Sequence, residues 1–296
     1  MKDFSLLSPF GQIEKDAPLA NRTTLGVGGA AAWLFRPTDE AALVEAMTYI
    51  PQDTVLFPIG RGSNLLIADS GIDGLVLDLS DLNTLNANAQ TLLAGAGARM
   101  SKIAQLAANT GLAGLEFMAT VPGDLGGGVA MNAGAFGQQV SDTLLSIRVL
   151  NHDSQVQNID RQDLNMQYRY TALPQGSLVL SATFRLEEKE TAEIKQAMRD
   201  MRAKRSETQP LNLPNCGSVF KNPEGDFAAR LIESVGLKGK QIGQANISDI
   251  HANFIVNQGG ASCADVLGLI RLAKDTVKQE MNVELEPEVK LVGCAL

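Results

Sequence analysis

Histidine and cysteine are scarce in this chain, and their scarcity limits the metal and disulfide chemistry it can support. The 296 residues include two histidines and three cysteines. Two histidines cannot form a three-histidine zinc site, and no His-Glu-x-x-His sequence is present. Cys216, Cys263 and Cys294 are odd in number and far apart in sequence, so they match neither a disulfide framework nor a Cys-x-x-Cys motif. We therefore expect reduced thiols and no metal site.

Long apolar runs and an excess of basic residues are also missing. No segment approaches the ~20 apolar residues that a membrane span needs, and the N-terminus lacks the layout of a signal peptide. The formal net charge is -8, which disfavours non-specific attraction to nucleic acid or to an anionic membrane. The sequence therefore predicts a cytoplasmic protein with no nucleic acid or membrane partner.

The composition is that of a folded protein with enough length for two domains. Hydrophobic residues make up 45% of the chain and charged residues 20%, which is typical of globular proteins. At roughly 150 residues per domain, the length predicts about two domains. We place the main boundary in the polar, proline-containing segment 206–214.

Hydrophobic spacing predicts mixed helices and strands before that boundary. An early helix is predicted after Pro37-Thr38-Asp39, because apolar residues recur there at helical spacing through Ile50. Further helices are expected from Ser101 and around 194–201. Strand-like segments occur at 32–35, 55–59, 75–79, from Leu92, at 147–150 and at 178–186.

Beyond the boundary, two helices and two strands are expected. The helices cover 228–235 and 266–277, and Ser262 with Asp265 predicts a capping box for the second. The strands are 254–256 and 283–291. In the last strand three glutamates alternate with apolar residues and face away from the core. This pattern is typical of a solvated strand face, and it does not single out one glutamate.

Glycine is dense at 60–66, 95–97 and 122–134. Glycine permits close approach of a ligand to the main chain, and consecutive N–H groups form nests for anions. One such loop is typical of a plain turn, but two with interleaved Ser or Asn favour a dinucleotide-sized cofactor. The Gly-x-Gly-x-x-Gly spacing is absent, because Leu65 stands where the third glycine would be. A fold other than the usual nicotinamide-binding one is expected to hold the cofactor.

Seven motifs follow one another along nearly the whole chain, from about residue 21 to residue 293. They are Gly60–Leu66, Gly114–Phe117, Pro122–Gly137, Tyr168-Arg169, Gly217–Pro223, His251–Phe254 and Leu285–Val289. In this order they resemble the UDP-N-acetylenolpyruvoylglucosamine reductase family, whose members make the muramic acid unit of bacterial peptidoglycan. The combination is highly specific.

The resemblance implies an α+β fold, with a two-lobed FAD-binding region of the vanillyl-alcohol-oxidase type followed by an α/β substrate-binding domain. The FAD-binding region is expected over 1–190, with lobe one at about 20–80 and lobe two at about 81–190. A connecting helix at 191–206 and the substrate-binding domain at 207–296 follow. Only the short segment 170–177 separates Arg169 from the next predicted strand, which leaves no space for the Tyr-bearing loop of one family form. The compact form is therefore expected.

The resemblance also implies the reaction and its cofactors. NADPH would reduce FAD, which would reduce the enolpyruvyl ether of a UDP-sugar, UDP-N-acetylglucosamine enolpyruvate, to UDP-N-acetylmuramate. Because no His or Cys lies in the glycine-rich motifs, the FAD is expected to be non-covalent. The residues implied to bind it are Gly60, Gly62, Ser63, Asn64, Leu65, Pro122, Gly123, Gly126, Gly127, Asn132 and Gly134.

Three positions match the family's catalytic residues, and we expect Arg169, Ser218 and Glu288 to converge on the flavin's reactive edge. Arg169 would hold the substrate carboxylate as negative charge develops on it. Ser218 would protonate the enolate carbon as a general acid. Glu288 helps only if it is protonated or hydrogen-bonds through a partner, because a bare carboxylate would repel the enolate.

Substrate contacts are implied for Lys221 and Asn222, which lie beside Ser218 in a family motif. Arg205 and His251 are further candidates. Other cations near the start of the last region are equally typical of solvated helix faces. The chain departs from the family's Tyr-Arg-x-Ser pattern, because Thr171 stands at the serine position. A monomer is expected, since no heptad or long edge strand demands a partner.

Two alternatives stay open. One is a flavin-dependent oxidase of the same fold class, which predicts rapid reoxidation by oxygen and, commonly, a covalent flavin. The other is a nucleotide-sugar binding protein without turnover, against which the intact catalytic trio argues.

Overall fold

The computed structural model describes residues 2–296, and their contacts divide the chain into two compact units. Unit 1 comprises Met1–Lys15, Trp33–Arg61 and Gly74–Lys204. Unit 2 comprises Asp16–Ala32, Gly62–Asp73 and Arg205–Leu296. The predicted boundaries divide the chain into consecutive segments. Unit 2 instead combines two segments from the N-terminal part of the chain with the C-terminal part. The assignment of 1–190, 191–206 and 207–296 to separate functions stays a prediction.

Two of the α-helices, the first and the last, begin at side-chain caps. Asp39 accepts a hydrogen bond from the Ala42 amide at 2.8 Å and starts the first helix, and Ser262 and Asp265 form the predicted capping box of the last. The α-helices are α1 Glu40–Met47, α2 Met100–Asn109, α3 Leu125–Ala130, α4 Thr191–Thr208, α5 Ala228–Ser234 and α6 Cys263–Met281. Short 3-10 helices occupy Ser5–Phe10, Ala20–Arg22, Glu116–Ala119, Val140–Asp142 and Arg161–Asp163.

Most strands are short, and many have fewer than five residues. In chain order they are β1 Gly11–Pro18, β2 Ala30–Pro37, β3 Leu56–Ile59, β4 Leu65–Ile67, β5 Ile72–Asp78, β6 Leu85–Asn88, β7 Thr91–Gly95, β8 Leu112–Ala113, β9 Gly134–Ala135, β10 Gln138–Gln139, β11 Leu144–Leu150, β12 Val156–Asp160, β13 Met166–Gln167, β14 Tyr170–Thr171, β15 Leu178–Arg185, β16 Glu187–Glu188, β17 Asn215–Ser218, β18 Gln241–Ile242, β19 Ala245–Ile247, β20 Phe254–Asn257 and β21 Lys290–Val292.

Unit 1 contains an antiparallel five-stranded sheet in the order β12-β11-β15-β7-β6. Most of a four-stranded sheet, β1-β2-β5-β3, also belongs to it. Two apolar clusters fill this unit. One includes Phe117 and Phe184 beside α2, and the other includes Phe35 and Leu75 beside α1. Burial of such side chains stabilises each by about 1.5–3 kcal/mol relative to exposure.

Unit 2 contains an antiparallel sheet in the order β17-β20-β19-β18, and β4 pairs in parallel with β21. Its apolar cluster includes Leu66 from β4, Phe220 after β17 and Val266 and Ile270 on α6. Across residues 2–296, the structure has no helix with the length and apolar character to cross a membrane.

The strand predicted over 283–291 is wrong in extent. Regular pairing covers only Lys290–Val292, and Pro287 makes an isolated bridge to Phe220. Pro287 has no N–H to donate to a ladder, so continuous pairing cannot pass through it. The predicted alternation of burial nevertheless holds, because Leu285 is buried while Glu284 and Glu286 are exposed.

Candidate active site

Arg169 lies in the two-residue turn that joins β13 and β14 in unit 1. Gln167 pairs with Tyr170 across this hairpin, so Tyr168 and Arg169 form the turn itself. The φ of Arg169 is 57°, in the left-handed region that costs an L-residue about 1–2 kcal/mol. Backbone strain of this kind persists where the surrounding structure holds the turn in place, and it is found at functional sites.

The guanidinium of Arg169 contacts Gly134 and Tyr168. Its Nη2 donates a hydrogen bond to the carbonyl of Gly134 at 2.9 Å, and its central carbon lies 5.1 Å from the centre of the Tyr168 ring. A guanidinium stays charged and presents its donors in a rigid plane that matches a carboxylate. The hairpin therefore provides a fixed positive charge, and Gly134, predicted to bind FAD, helps to orient it.

A buried amide, Asn132, ties this hairpin to the glycine-rich segment. Its side chain is fully buried, and Nδ2 donates to Gln139 Oε1 at 3.1 Å and to the Gln167 carbonyl at 3.0 Å. Its Oδ1 accepts from the Ser141 amide at 2.9 Å. These contacts give Asn132 an anchoring role next to Arg169, and its predicted contact with FAD stays a prediction.

The glycine-rich segment 122–134 leaves main chain open to a ligand. A Cβ at Gly127 would find no heavy atom within 4 Å, so a cofactor can approach the main chain there. Gly126 instead packs against Ala96, and its amide donates a hydrogen bond to the Ala96 carbonyl at 2.8 Å. The carbonyl of Gly123 accepts from Met100 at 3.1 Å, which fixes the loop that follows Pro122.

A buried carboxyl group, Asp124, lies in the same segment and was not identified from the sequence. Its oxygens receive no hydrogen bond from residues 2–296, and a Cβ at Gly60 would lie 2.7 Å from Oδ2. A buried carboxyl group that accepts no hydrogen bond is consistent with a polar ligand or water nearby. The open main chain at Gly127 and this carboxyl group therefore fit the polar part of a dinucleotide such as FAD. The sequence signal that could have identified Asp124 was the presence of a charged residue within a glycine-rich segment.

Ser218 is the last residue of β17 in unit 2, paired with Phe254 of β20. The register of this pair shifts between Asn215 and Ser218, where Gly217 has a φ of 75°. The Gly217 amide donates to Asn215 Oδ1 at 3.0 Å. Glycine adopts this conformation without steric cost, so the Gly-Ser pair of the motif sets the direction in which the strand presents Ser218.

The chain after Ser218 is held by a second buried asparagine, Asn253. Its Nδ2 donates to the Phe220 carbonyl at 2.8 Å, and its Oδ1 accepts from the Phe220 amide at 2.9 Å. The Asn253 carbonyl also accepts from Val219 at 2.9 Å. This residue lies inside the His251–Phe254 motif, yet the sequence alone gave no reason to assign it a role.

Glu288 lies beside Ser218 through main-chain contacts within unit 2. The Glu288 amide donates to the Val219 carbonyl at 2.8 Å, and the Glu288 carbonyl accepts from Asn64 Nδ2 at 3.1 Å. The Asn64 carbonyl accepts in turn from Lys290 at 3.0 Å. The structure therefore brings together two predicted catalytic residues and one residue predicted to bind FAD.

The other residues of unit 2 that are predicted to bind FAD are Gly62, Ser63 and Leu65. The Ser63 carbonyl lies 3.8 Å from where a Gly217 Cβ would be, and a Cβ at Gly62 would lie 2.5 Å from the Arg22 carbonyl. Leu65 begins β4 and pairs with Lys290. Arg169 and Gly60 belong to unit 1.

The cysteines of the described residues are free thiols, as expected. Burial raises the pKa of the Cys216 thiol to about 12, and the nearby charge of Glu288 contributes in the same direction. Cys216 is therefore an inert neighbour of the site, because the thiolate is the reactive form. Cys263 and Cys294, distant in sequence, have their sulfur atoms 3.7 Å apart.

Lys221 and Asn222, the predicted substrate contacts, both have protein partners. Lys221 Nζ lies 2.6 Å from Glu286 Oε1, and its amide donates to the Glu286 carbonyl at 2.9 Å. Asn222 Oδ1 accepts from the Ala228 amide at the start of α5 at 3.1 Å. Glu286 was not assigned a role from the sequence, and it holds the lysine of the catalytic motif.

His251 and Arg205, the other predicted substrate contacts, are partly buried. His251 Nδ1 accepts from the Asn253 amide at 3.3 Å, and its ring centre lies 4.9 Å from that of Phe254. Burial lowers the pKa of His251, which favours the neutral imidazole. Burial also lowers the pKa of Arg205, which lies near the end of α4.

Among residues 2–296, no group of three or more His, Cys, Asp or Glu side chains is placed to hold a metal ion.

Known proteins match both regions of this chain. The model of an FAD binding domain matches residues 31–160, and the model of the UDP-N-acetylenolpyruvoylglucosamine reductase C-terminal domain matches residues 209–292. A reductase of that name from Agathobacter rectalis is 42% identical, with 94% of this chain and 93% of the relative covered. One from Bacillus pumilus is 40% identical, with coverage of 99% and 98%. The chain belongs to the UDP-N-acetylenolpyruvoylglucosamine reductase family.

A solved structure supports the same conclusion for the fold. The UDP-N-acetylenolpyruvylglucosamine reductase of Thermus caldophilus superposes with a TM-score of 0.84 at 35% identity, covering 96% of this chain and 100% of that chain. The predicted fold class, an FAD-binding region followed by the family's C-terminal domain, is confirmed. As a member of the UDP-N-acetylenolpyruvoylglucosamine reductase family, the chain is an FAD-dependent oxidoreductase.

Proposed function

We propose that this chain uses NADPH and non-covalently bound FAD to reduce UDP-N-acetylglucosamine enolpyruvate to UDP-N-acetylmuramate. The observation that carries the proposal is the hydrogen bond of 2.8 Å between the Glu288 amide and the Val219 carbonyl. It holds the predicted acid residue beside the predicted proton donor, Ser218. The names of the relatives and the FAD binding domain support the same reaction.

Arg169 binds the substrate carboxylate in this proposal. The carbonyl of Gly134 and the ring of Tyr168 hold the guanidinium before substrate arrives, so little reorganisation is needed when negative charge develops. Preorganised charge of this kind is commonly the largest contribution to catalysis.

Ser218 and Glu288 act on the carbon that bears the substrate carboxylate. The chemistry that a bound FAD would supply is transfer of a hydride, taken from NADPH, to the vinyl group. Ser218 Oγ then delivers a proton to the enolate carbon, so the ether gains one hydride and one proton. Glu288 assists as the protonated acid, which removes its repulsion of the enolate.

The other predicted contact residues have binding roles in this proposal. Lys221, Asn222, Arg205 and His251 are proposed to bind the UDP-sugar. The glycines and polar residues of 60–65 and 122–134 are proposed to bind FAD, consistent with the open main chain at Gly127.

The proposal is tested by coupling NADPH oxidation to product formation. The purified protein, loaded with FAD, should oxidise NADPH only when UDP-N-acetylglucosamine enolpyruvate is present. Mass spectrometry should then show a product heavier than the substrate by two hydrogens. NADPH consumption without the enolpyruvyl compound, accompanied by oxygen uptake, would instead support the flavin-dependent oxidase. Failure to bind any flavin would support a nucleotide-sugar binding protein.

A further inference from the structure

The carboxyl group of Asp124 is buried without the hydrogen bonds that a buried carboxylate normally has. Its side chain is 3% exposed, and neither oxygen has a hydrogen-bond partner among residues 2–296. Ionised carboxyl groups in protein interiors are usually paired and hydrogen-bonded, since burying an isolated charge is costly. Asp124 also precedes α3 at the N-cap position without making a capping hydrogen bond, although aspartate there commonly makes one.

The carboxyl group instead faces the other glycine-rich loop of unit 1. Oδ2 lies 2.7 Å from where a Cβ at Gly60 would be. Arg61 Nε lies 3.3 Å from Oδ1 in an ion pair that lacks the geometry of a hydrogen bond. Asp124 therefore joins two segments, 60–61 and 122–128, that are both proposed to bind FAD. A ligand bound by both segments would therefore change the electrostatic surroundings of the Asp124 side chain.

The charges around Asp124 leave the ionised form poorly stabilised. Burial, the largest effect, raises the pKa of Asp124, and the negative charge of Asp78 acts in the same direction. The positive charges of Arg61 and Arg99, together with the close approach of the Arg61 side chain to the carboxyl group, oppose this shift only in part. A bound diphosphate adds negative charge, and like charges disfavour ionisation of a neighbouring carboxyl group.

We propose that Asp124 takes up one proton when FAD binds, and that the neutral acid then donates its O–H hydrogen bond within the cofactor site. The acceptor class is an anionic oxygen such as those of the FAD diphosphate. This inference rests on the proposed placement of FAD, and it adds a residue that the family motifs do not assign here. It requires neither NADPH nor the sugar substrate.

Fluorescence titration of the FAD-free protein with FAD tests this proposal from about pH 5 to about pH 9. The wild-type Kd should rise with pH, by up to tenfold per pH unit between the pKa of Asp124 in the free protein and that in the complex. Asp124→Asn keeps the shape of the side chain and a donor, so its Kd should be independent of pH and close to the wild-type value at low pH.

Asp81→Asn is the matched control. Asp81 also pairs with an arginine in unit 1, Arg36 at 2.6 Å, but it is partly exposed and accepts two hydrogen bonds from that side chain. This variant should keep the wild-type slope. Calorimetry of wild-type FAD binding in buffers of different ionisation enthalpy needs no variant, and it should report uptake of close to one proton.

Three results would overturn the proposal while leaving FAD bound. The first is a wild-type Kd that does not depend on pH, with no proton uptake. The second is an Asp124→Asn variant whose Kd rises with pH as steeply as that of the wild type. The third is an Asp124→Asn variant that binds FAD more than tenfold more weakly than the wild type at low pH. The last result would mean that the ionised carboxylate accepts hydrogen bonds from FAD hydroxyl groups. No FAD binding at any pH would contradict the proposed function as well.

Discussion

Two buried asparagines hold the candidate catalytic segments, one in each unit, but they do so in different ways. Asn132 contacts two separate segments, one at Gln139 and Ser141 and the other at Gln167, and it steadies a strained two-residue turn. Asn253 bonds both main-chain groups of one residue, Phe220, next to a strand of a four-stranded sheet. Asn132 therefore links separate elements around the turn that carries Arg169, whereas Asn253 reinforces the segment that directly follows Ser218.

Removing the hydroxyl of Ser218 should have the largest effect on the reaction. In Ser218→Ala, the transfer of reducing equivalents from reduced flavin to substrate should slow by about 10²- to 10⁴-fold, the usual contribution of a general acid. Reduction of the flavin by NADPH should be unchanged, because no proton from Ser218 is needed there. Stopped-flow absorbance of the two half-reactions measures both rates.

Ser234→Ala is the control for this variant, since Ser234 is an exposed residue of α5 in the same unit. It should leave both half-reactions at the wild-type rate. Equal rates of substrate reduction in Ser218→Ala and wild type would show that another group donates the proton.

Replacing the two asparagines separates stability from catalysis. Asn132→Ala and Asn253→Ala should each lower the free energy of unfolding by about 1–3 kcal/mol for each main-chain group left buried without a partner. Denaturant unfolding measures this loss. Asn132→Ala should in addition lower kcat, because the turn that carries Arg169 loses one of its contacts. A loss of FAD affinity with unchanged kcat would instead favour the predicted contact of Asn132 with FAD.

The smallest effect is expected for the ion pair between Lys221 and Glu286. Exposed ion pairs contribute about 0–1 kcal/mol, so Glu286→Gln should change KM for the UDP-sugar by up to about fivefold and leave kcat unchanged. Glu284→Gln is a matched control, because Glu284 is equally exposed and pairs with Lys274 at 3.4 Å. If steady-state kinetics gave the same KM for both variants, Glu286 would have no role in positioning Lys221 for the substrate.

Local signals predicted the starts of α1 and α6, because the residues that cap a helix are its near neighbours in sequence, whereas α3 in the glycine-rich segment was not predicted. Asp39 and the pair Ser262 and Asp265 cap α1 and α6 as the sequence predicts. The segment that carries Glu288 was predicted as a strand from alternation alone. Its actual course depends on Pro287 and on pairing with β4, more than 200 residues earlier in the chain, and no local pattern reveals that pairing.

The candidate site shows the same division between local and distant contacts. The motifs identified Ser218 and Glu288, and the structure places their segments side by side. They gave no reason to assign roles to Asp124, Asn253 or Glu286, because what marks these residues is burial or a partner distant in sequence. Hydrogen bonds such as that from Asn132 to residue 167 become visible only when the chain is folded.

The central claim is that one protein accepts electrons from NADPH and passes them to the enolpyruvyl ether. The most direct test is the visible absorbance of the FAD-loaded protein under anaerobic conditions, first with NADPH and then with UDP-N-acetylglucosamine enolpyruvate. The account predicts that NADPH bleaches the oxidised flavin spectrum and that the enolpyruvyl compound restores it. A flavin that is bleached by NADPH and stays reduced after this substrate, but recovers when oxygen is admitted, would contradict the account.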